Sequence, residues 1–191
     1  MTRPMRRLSA ALLLAVSACA VLGSGGQNYH DKSMDFGSVR TVAVMPFVNL
    51  SRDSGAGDRV RDVLTSMLLA TGSIYVVPHG EVVRVATRAS VSAPATPSVE
   101  ELVKLGTQLK ADAVVTGVVK EYGEVRSGSA SGNVVSLSLQ LLETTTGKVV
   151  WTGTSTKGGV SWKDRLLGGG GAPMNDVTEA AVDDLIGKLF K

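Results

Sequence analysis

VRTVAVMPFV, Val39 to Val48, is the stretch whose reading decides the fold. Its apolar residues run on without alternating, and Pro46 and the polar NLSRDSG that follows bring the run to an end. A strand with one wet face alternates polar with apolar; a run apolar at both parities has no wet face, and reads as a strand placed centrally in a sheet and covered on both sides. Downstream the period changes. From Asp58, residues Val60, Val63, Leu64, Met67 and Leu68 recur at helical spacing, Arg59, Arg61 and Asp62 fall elsewhere, and Gly72 stops the pattern. A buried strand followed by an amphipathic helix is the unit of an α/β protein.

Further along, Ile74 to Val77 reads as a short strand. Pro78-His79-Gly80 opens the segment Glu81 to Thr87, whose valines suit either a brief helix or a strand extension. RASVSAPATP, residues 88–97, is a loop; Ser98 and Glu101 then have capping-box spacing before Leu102, Leu105 and Leu109, which predicts a second amphipathic helix. Ala113 to Glu121 is a strand, SGSASGN reads as a small-residue loop, and in VVSLSLQLL residues Val135, Leu137, Leu139 and Leu141 alternate with Ser136, Ser138 and Gln140. Thr144 to Gly147 turns the chain into a strand from Val149 to Thr156, giving three antiparallel strands in sequence. Asp176 and Glu179 are placed to cap a last helix with Val177, Ala181, Leu185 and Leu189 on one stripe. The fold class expected is α/β (α+β): a mixed sheet of about five strands, about three helices around it, and an antiparallel hairpin in the C-terminal half.

The N-terminus has a different design. Arg3, Arg6 and Arg7 precede an apolar run from Ala10 to Val16 and then small residues, the pattern of a secretory signal peptide. That run falls short of the roughly 20 apolar residues a bilayer-spanning helix needs. The only cysteine, Cys19, closes it, and Val16-Ser17-Ala18-Cys19 resembles the lipobox of bacterial lipoproteins. The resemblance implies cleavage between Ala18 and Cys19, a thioether-linked diacylglycerol, and a further acyl chain such as palmitate on the amine; several chains hold a protein on a membrane without a spanning helix. By the same resemblance, Ala20 rather than an aspartate favours the outer membrane, facing the periplasm. The organisation expected is a signal peptide over 1–18, a lipidated N-terminus and flexible tether over 19–37, and a single domain over 38–191. Without a second cysteine the mature chain forms no internal disulfide, so packing must stabilise it.

Charge and motifs exclude several function classes. The formal net charge is +3, but once Arg3, Arg6 and Arg7 are set aside the basic residues equal the 17 acidic ones, so nothing marks a nucleic-acid partner. His30 and His79 are the only histidines, and neither HxxxH spacing nor a cysteine cluster offers metal ligands. There is no G-x-S-x-G elbow; Gly168 to Gly171 lack the Lys-Ser/Thr of a phosphate loop; Glu100-Glu101 and Asp183-Asp184 read as solvated helix faces. The expectation is a protein without catalytic residues, metal or cofactor. One loop stands out. Trp162, Leu166 and Leu167, flanked by Lys163, Asp164 and Arg165 and by the glycine run, have the make-up of an adaptable anchor for a protein partner, and equally of a flap folded on the domain's own core.

VAVMPFVNLS with the helix after it, ADAVVTGVV, and LLETTTGKVVW together resemble the periplasmic lipoproteins related to CsgG, to the penicillin-binding-protein activator LpoB and to FlgO, over roughly residues 39 to 190. The most specific pieces are Pro46-Phe47 followed by Asn49, Ala111-Asp112-Ala113 leading into a strand with Gly117, and Thr146-Gly147 before Val149-Val150-Trp151. The resemblance implies a lipid-anchored domain that acts through protein contacts as a binding or assembly module for an envelope machine: peptidoglycan synthase activation, secretion or appendage assembly. Its alternative form is an oligomeric subunit of a CsgG-like secretion channel, though RASVSAPATP and GEVRSGSASG are short and polar for membrane hairpins. LpoB-like activators commonly carry a long tether; the one here is short.

Overall fold

Proline has no N–H to give a ladder, and Pro46 divides the apolar run into two strands. In the computed structural model, which describes residues 28–160 and 171–191, these are β2 (Thr41–Val44) and β3 (Val48–Asn49). They follow β1 (Tyr29–His30) and precede α1 (Ala56–Ala70), β4 (Tyr75–Val76), α2 (His79–Arg88), α3 (Val99–Leu109), β5 (Ala113–Ser127), β6 (Ala130–Glu143), β7 (Val149–Gly158) and a last helix, here α4 (Met174–Leu189). The strand order is β1-β7-β6-β5-β2-β4, with β3 also on β5. β2 runs parallel to both β4 and β5, in register Val42↔Val76 and Val42↔Ala113, and β5, β6, β7 and β1 are antiparallel in turn. The described residues thus form a mixed α+β domain, a seven-stranded sheet with four helices.

The two parities of the opening run enter two cores. Val42 and Val44 pack with α1 and α4 residues such as Leu64, Leu68 and Leu185, whereas Ala43 and Met45 pack with Val82 and Val85 of α2 and Leu102 and Leu105 of α3. Burial on both faces is as the sequence predicts; the strand lies one place in from the edge strand β4 rather than at the centre. The α2–α3 layer meets the sheet over β2, Val114 and Leu142, so β6 and β7 keep Gln140, Ser138, Ser136, Thr152, Thr154 and Thr156 on a face outside both cores.

Helix signals resolve as the period requires. The ambiguous valine segment is helical: Val82, Val85 and Ala86 are buried while Val83 stays 41% exposed, a 3.6-residue rather than a two-residue period. The capping box forms, with Glu101 N–H donating to Ser98 Oγ at 3.3 Å and Ser98 N–H to Glu101 Oε2 at 2.8 Å. The other Glu101 oxygen accepts Ser92 N–H at 3.0 Å and ties down the preceding loop. Val177, Ala181, Leu185 and Leu189 are buried as one stripe, but their helix starts without a side-chain cap: Pro173 holds the cap position and Glu179 accepts instead from Asn175 Nδ2 at 2.6 Å.

Two expectations are corrected. SGSASGN is strand apart from Gly128-Ser129, a two-residue turn in which Gly128 takes φ +63°, as primed hairpin turns require. Residues 28–37, expected within the tether, belong to the folded body: Tyr29 and His30 pair with Thr152 and Trp151, His30 Nε2 lies 2.8 Å from the Lys188 carbonyl oxygen, and Met34 and Phe36 pack against the core. Scattered apolar residues have no period, so the sequence pattern does not mark them.

Candidate functional site

β5 spans 15 residues, about 50 Å at 3.3 Å per residue, and outruns the helices. A bulge at Lys120 shifts its register against β6; beyond it Lys120, Glu121, Glu124, Val125 and Arg126 are exposed. Beside this arm runs an open groove with an apolar part from Leu50, Tyr122, Val125 and Val134 and a charged rim from Arg52, Lys120, Glu121 and Glu124. Leu50 is 67% exposed, the largest exposure of a large hydrophobic side chain among the described residues.

The loop that carries Leu50 and Arg52 is held rigid. Asn49 Nδ2 donates to the Asp53 carbonyl at 2.7 Å, and Asn49 Oδ1 accepts Ser51 N–H at 3.0 Å and Ser51 Oγ–H at 2.7 Å. The Asp53 carboxylate accepts Gly55 N–H at 2.9 Å and both contacts from Arg59 Nη2, at 2.7 and 2.9 Å. Arg59 in turn stands 5.7 Å from the Tyr122 ring centroid, a cation–π contact joining α1 to the arm. The sequence pattern marks neither Arg59 nor Tyr122 as a site residue; the Asp53 to Arg59 spacing is the only signal.

Trp162, Arg165, Leu166 and Leu167 lie outside the described residues, as do Ala18 and Cys19. The flanks of segment 161–170 are described, and both meet the arm. Gly159 N–H donates to Asn133 C=O at 2.7 Å, Gly171 N–H to Ser131 C=O at 3.2 Å, and Asn133 Nδ2 to Ala172 C=O at 2.9 Å. Both flanks are therefore held by one short stretch of β6, Ser131 to Asn133, at the end where the groove lies.

His79 is the exposed first residue of α2, and His30 is bonded to the backbone of α4. Among the described residues no three His, Cys, Asp or Glu side chains gather as metal ligands, and no helix is long and apolar enough to cross a membrane. Asp184 pairs with Lys188 at 2.6 Å and Lys157 at 3.2 Å; partial burial works to raise its pKa, and the two ammoniums outweigh that and bring it to about 2.

The motif pieces quoted for the family resemblance are fold determinants. Asn49 builds the loop just described. Asp112 Oδ2 accepts the Arg40 and Thr41 amides, both at 2.9 Å, and so sets β2 against β5. Gly117 makes room for Phe47: a Cβ there would stand 2.9 Å from the Phe47 ring and 2.7 Å from Leu139 Cδ2. Gly147 turns at φ +71°.

Sheet order, two-faced burial of β2 and the clasped loop after β3 define a mixed α+β domain with an open groove beside its β5–β6 arm. The family model of GNA1162-like lipoproteins matches residues 32–188, and the chain belongs to that family. Among solved structures it is similar to the PelC dodecamer from Paraburkholderia phytofirmans, at 16% identity and TM-score 0.58 over 86% of this chain and 95% of that one. It is also similar to lipoprotein GNA1162 from Neisseria meningitidis, at 23% identity and TM-score 0.53 over 78% and 99%. The LpoB C-terminal domain from Salmonella enterica aligns at 14% identity and TM-score 0.49 over 66% and 86%. No curated protein matches the chain. The lipoprotein relationship read from the sequence holds at the level of the GNA1162-like family, and is not specific to CsgG or FlgO.

Proposed function

We propose that this protein is anchored by acyl chains on Cys19 to the bacterial outer membrane, faces the periplasm, and serves without catalysis as a binding or assembly module for an envelope machine. The observation that carries this is the separation of its two ends. The described chain starts at Asn28, one residue before Tyr29, which through β7 and β6 lies level with Thr116 of β5, whereas the groove and both flanks of segment 161–170 lie further along the β5–β6 arm, from Lys120 onward. A module leashed near that level and offering Leu50 and Tyr122 further along the arm is built to touch a partner away from its anchor, with Trp162, Arg165, Leu166 and Leu167 as the candidate contact residues. Self-assembly belongs to this reading, because PelC, with the same fold, is described as a dodecamer. A channel formed by inserting the β5–β6 arm into the bilayer is disfavoured by Lys120, Glu121, Glu124 and Arg126, since charges facing lipid are costly.

Photocrosslinkers placed in cells at Trp162 or Arg165, with Val83 on α2 as the control position, test the partner half. A discrete adduct from the first two and none from Val83 is the expected result; adducts from Val83 alone, or none from any position, would overturn it. Labelled palmitate must enter the wild type and not Cys19→Ala, or the anchoring half is wrong.

A further inference from the structure

At the opposite end from the arm a second groove opens between η1 (Phe36–Ser38), the start of β4 and the end of α4. Phe36, Val39, Ile74, Leu189 and Phe190 make it apolar, and Arg40 and Lys191 stand at its rim. It continues inward as an apolar slot between the sheet and the helices, past Val42, Leu68, Val115 and Leu141. At its edge the fold leaves the large side chain of Phe190 49% exposed. The neighbouring acids are engaged with the backbone, Asp35 accepting Gly37 N–H and Asp112 accepting the Arg40 and Thr41 amides.

Two observations choose the occupant. Cys19 lies nine residues before Asn28, so even a fully extended chain, at 3.3 to 3.6 Å per residue, reaches about 30 Å. An acylated Cys19 thus holds Asn28, two residues before the groove residue His30, within about 30 Å of the leaflet that holds its acyl chains. The chemistry agrees, since aromatic and aliphatic side chains flanked by Arg and Lys suit the interface of an anionic bilayer. We propose that the Phe36–Ile74–Phe190 groove with its Arg40 and Lys191 rim docks on the surface of an anionic phospholipid bilayer, fixing the domain upright so that the β5–β6 arm points away from the membrane. This rests on the anchoring reading given above.

Because Cys19 is the only cysteine and is consumed by acylation, a new cysteine takes a fluorophore without competition. Acylated protein carrying a labelled Ser73→Cys beside the groove, or Leu50→Cys at the far end, is reconstituted into phosphatidylethanolamine–phosphatidylglycerol vesicles containing doxyl lipid. Quenching several-fold stronger at position 73 than at 50 is expected, falling at least severalfold in Phe190→Asp and in the Arg40→Glu/Lys191→Glu pair while the protein stays with the vesicles. Vesicle-bound protein with equal, weak quenching at both positions overturns the docking face and leaves the anchor standing. Protein absent from the vesicle fraction overturns the anchor and the docking face with it. Self-quenching at position 73 in detergent, without lipid quenching in vesicles, assigns the groove to a second copy and overturns the proposal.

Discussion

Replacing Gly106 by alanine poses helix propensity against packing, and the structure decides the sign. In the middle of a helix the change should add about 1 kcal/mol. Gly106, however, is on the buried face of α3, where a Cβ would stand 2.3 Å from Thr144 Cβ and 2.6 Å from Thr144 Cγ2. Carbons meet comfortably at about 3.5 to 4.0 Å, so one side must give by about 1 Å. Thr144 is poorly placed to do so: it is 7% exposed, its hydroxyl donates to Ala111 C=O at 2.6 Å, and its amide donates to Asp112 C=O at 3.0 Å. Helix α3 must lift from the end of β6, an overpacking that costs about 1 to 3 kcal/mol, and the net is a loss of up to about 2 kcal/mol. Gly187 is the internal control. It lies within α4, nothing approaches its added Cβ within 4 Å, and Gly187→Ala should gain up to about 1 kcal/mol. Urea titrations of both variants should therefore move the midpoint in opposite directions, by a few tenths to about 1 M at an m-value of about 1 to 3 kcal/mol/M. A midpoint that rises in Gly106→Ala as it does in Gly187→Ala would refute the seating of α3 on Thr144.

Asp112→Ala removes the acceptor of two backbone amides and should cost about 1 to 3 kcal/mol, with faster hydrogen exchange at Arg40 and Thr41; unchanged exchange there would mean the clamp is idle. Asp184 is held at about 2, below its ordinary 3.8, so it contributes stability that is present above about pH 4 and is lost as pH falls through about 2. Its side chain is 26% exposed, which limits the contribution to about 1 to 2 kcal/mol, and the stability gap between wild type and Asp184→Asn in urea should be full at pH 6 and narrow by pH 2.5. Asn133→Ala removes the 2.9 Å bond to Ala172 and should speed proteolysis between Val160 and Gly171 several-fold while leaving global stability within about 1 kcal/mol of wild type; equal cleavage rates would show that this bond does not restrain the segment.

What can be read in advance follows from strong periodicity. The run at Val42 to Met45, the stripe Val60, Leu64, Leu68, the Ser98–Glu101 box and the alternation from Val135 to Leu141 each carry one period and little competition, and each forms the expected element. The arm escapes such a reading because SGSASGN has the composition of a loop, and only pairing with β5 makes it strand. β1 escapes it because two residues have no period at all. The groove at the arm lies further from sequence reading, since Leu50, Arg59, Tyr122 and Val134 are gathered by β3–β5 pairing and a clasped loop, which no local pattern encodes.

Thr41 finds Asp112 across 71 residues of chain, and β2 has no neighbour on that side until β5 has been made. A ribosome or translocon delivers the protein from its N-terminus, so β2, α1 and β4 emerge as an unfinished apolar layer while the partner that completes them is still to come. The C-terminal strands, joined by tight turns, can zip as soon as they appear. The first half of the polypeptide is therefore the aggregation-prone half, and a chain stalled before Ala113 lacks the strand that completes its sheet.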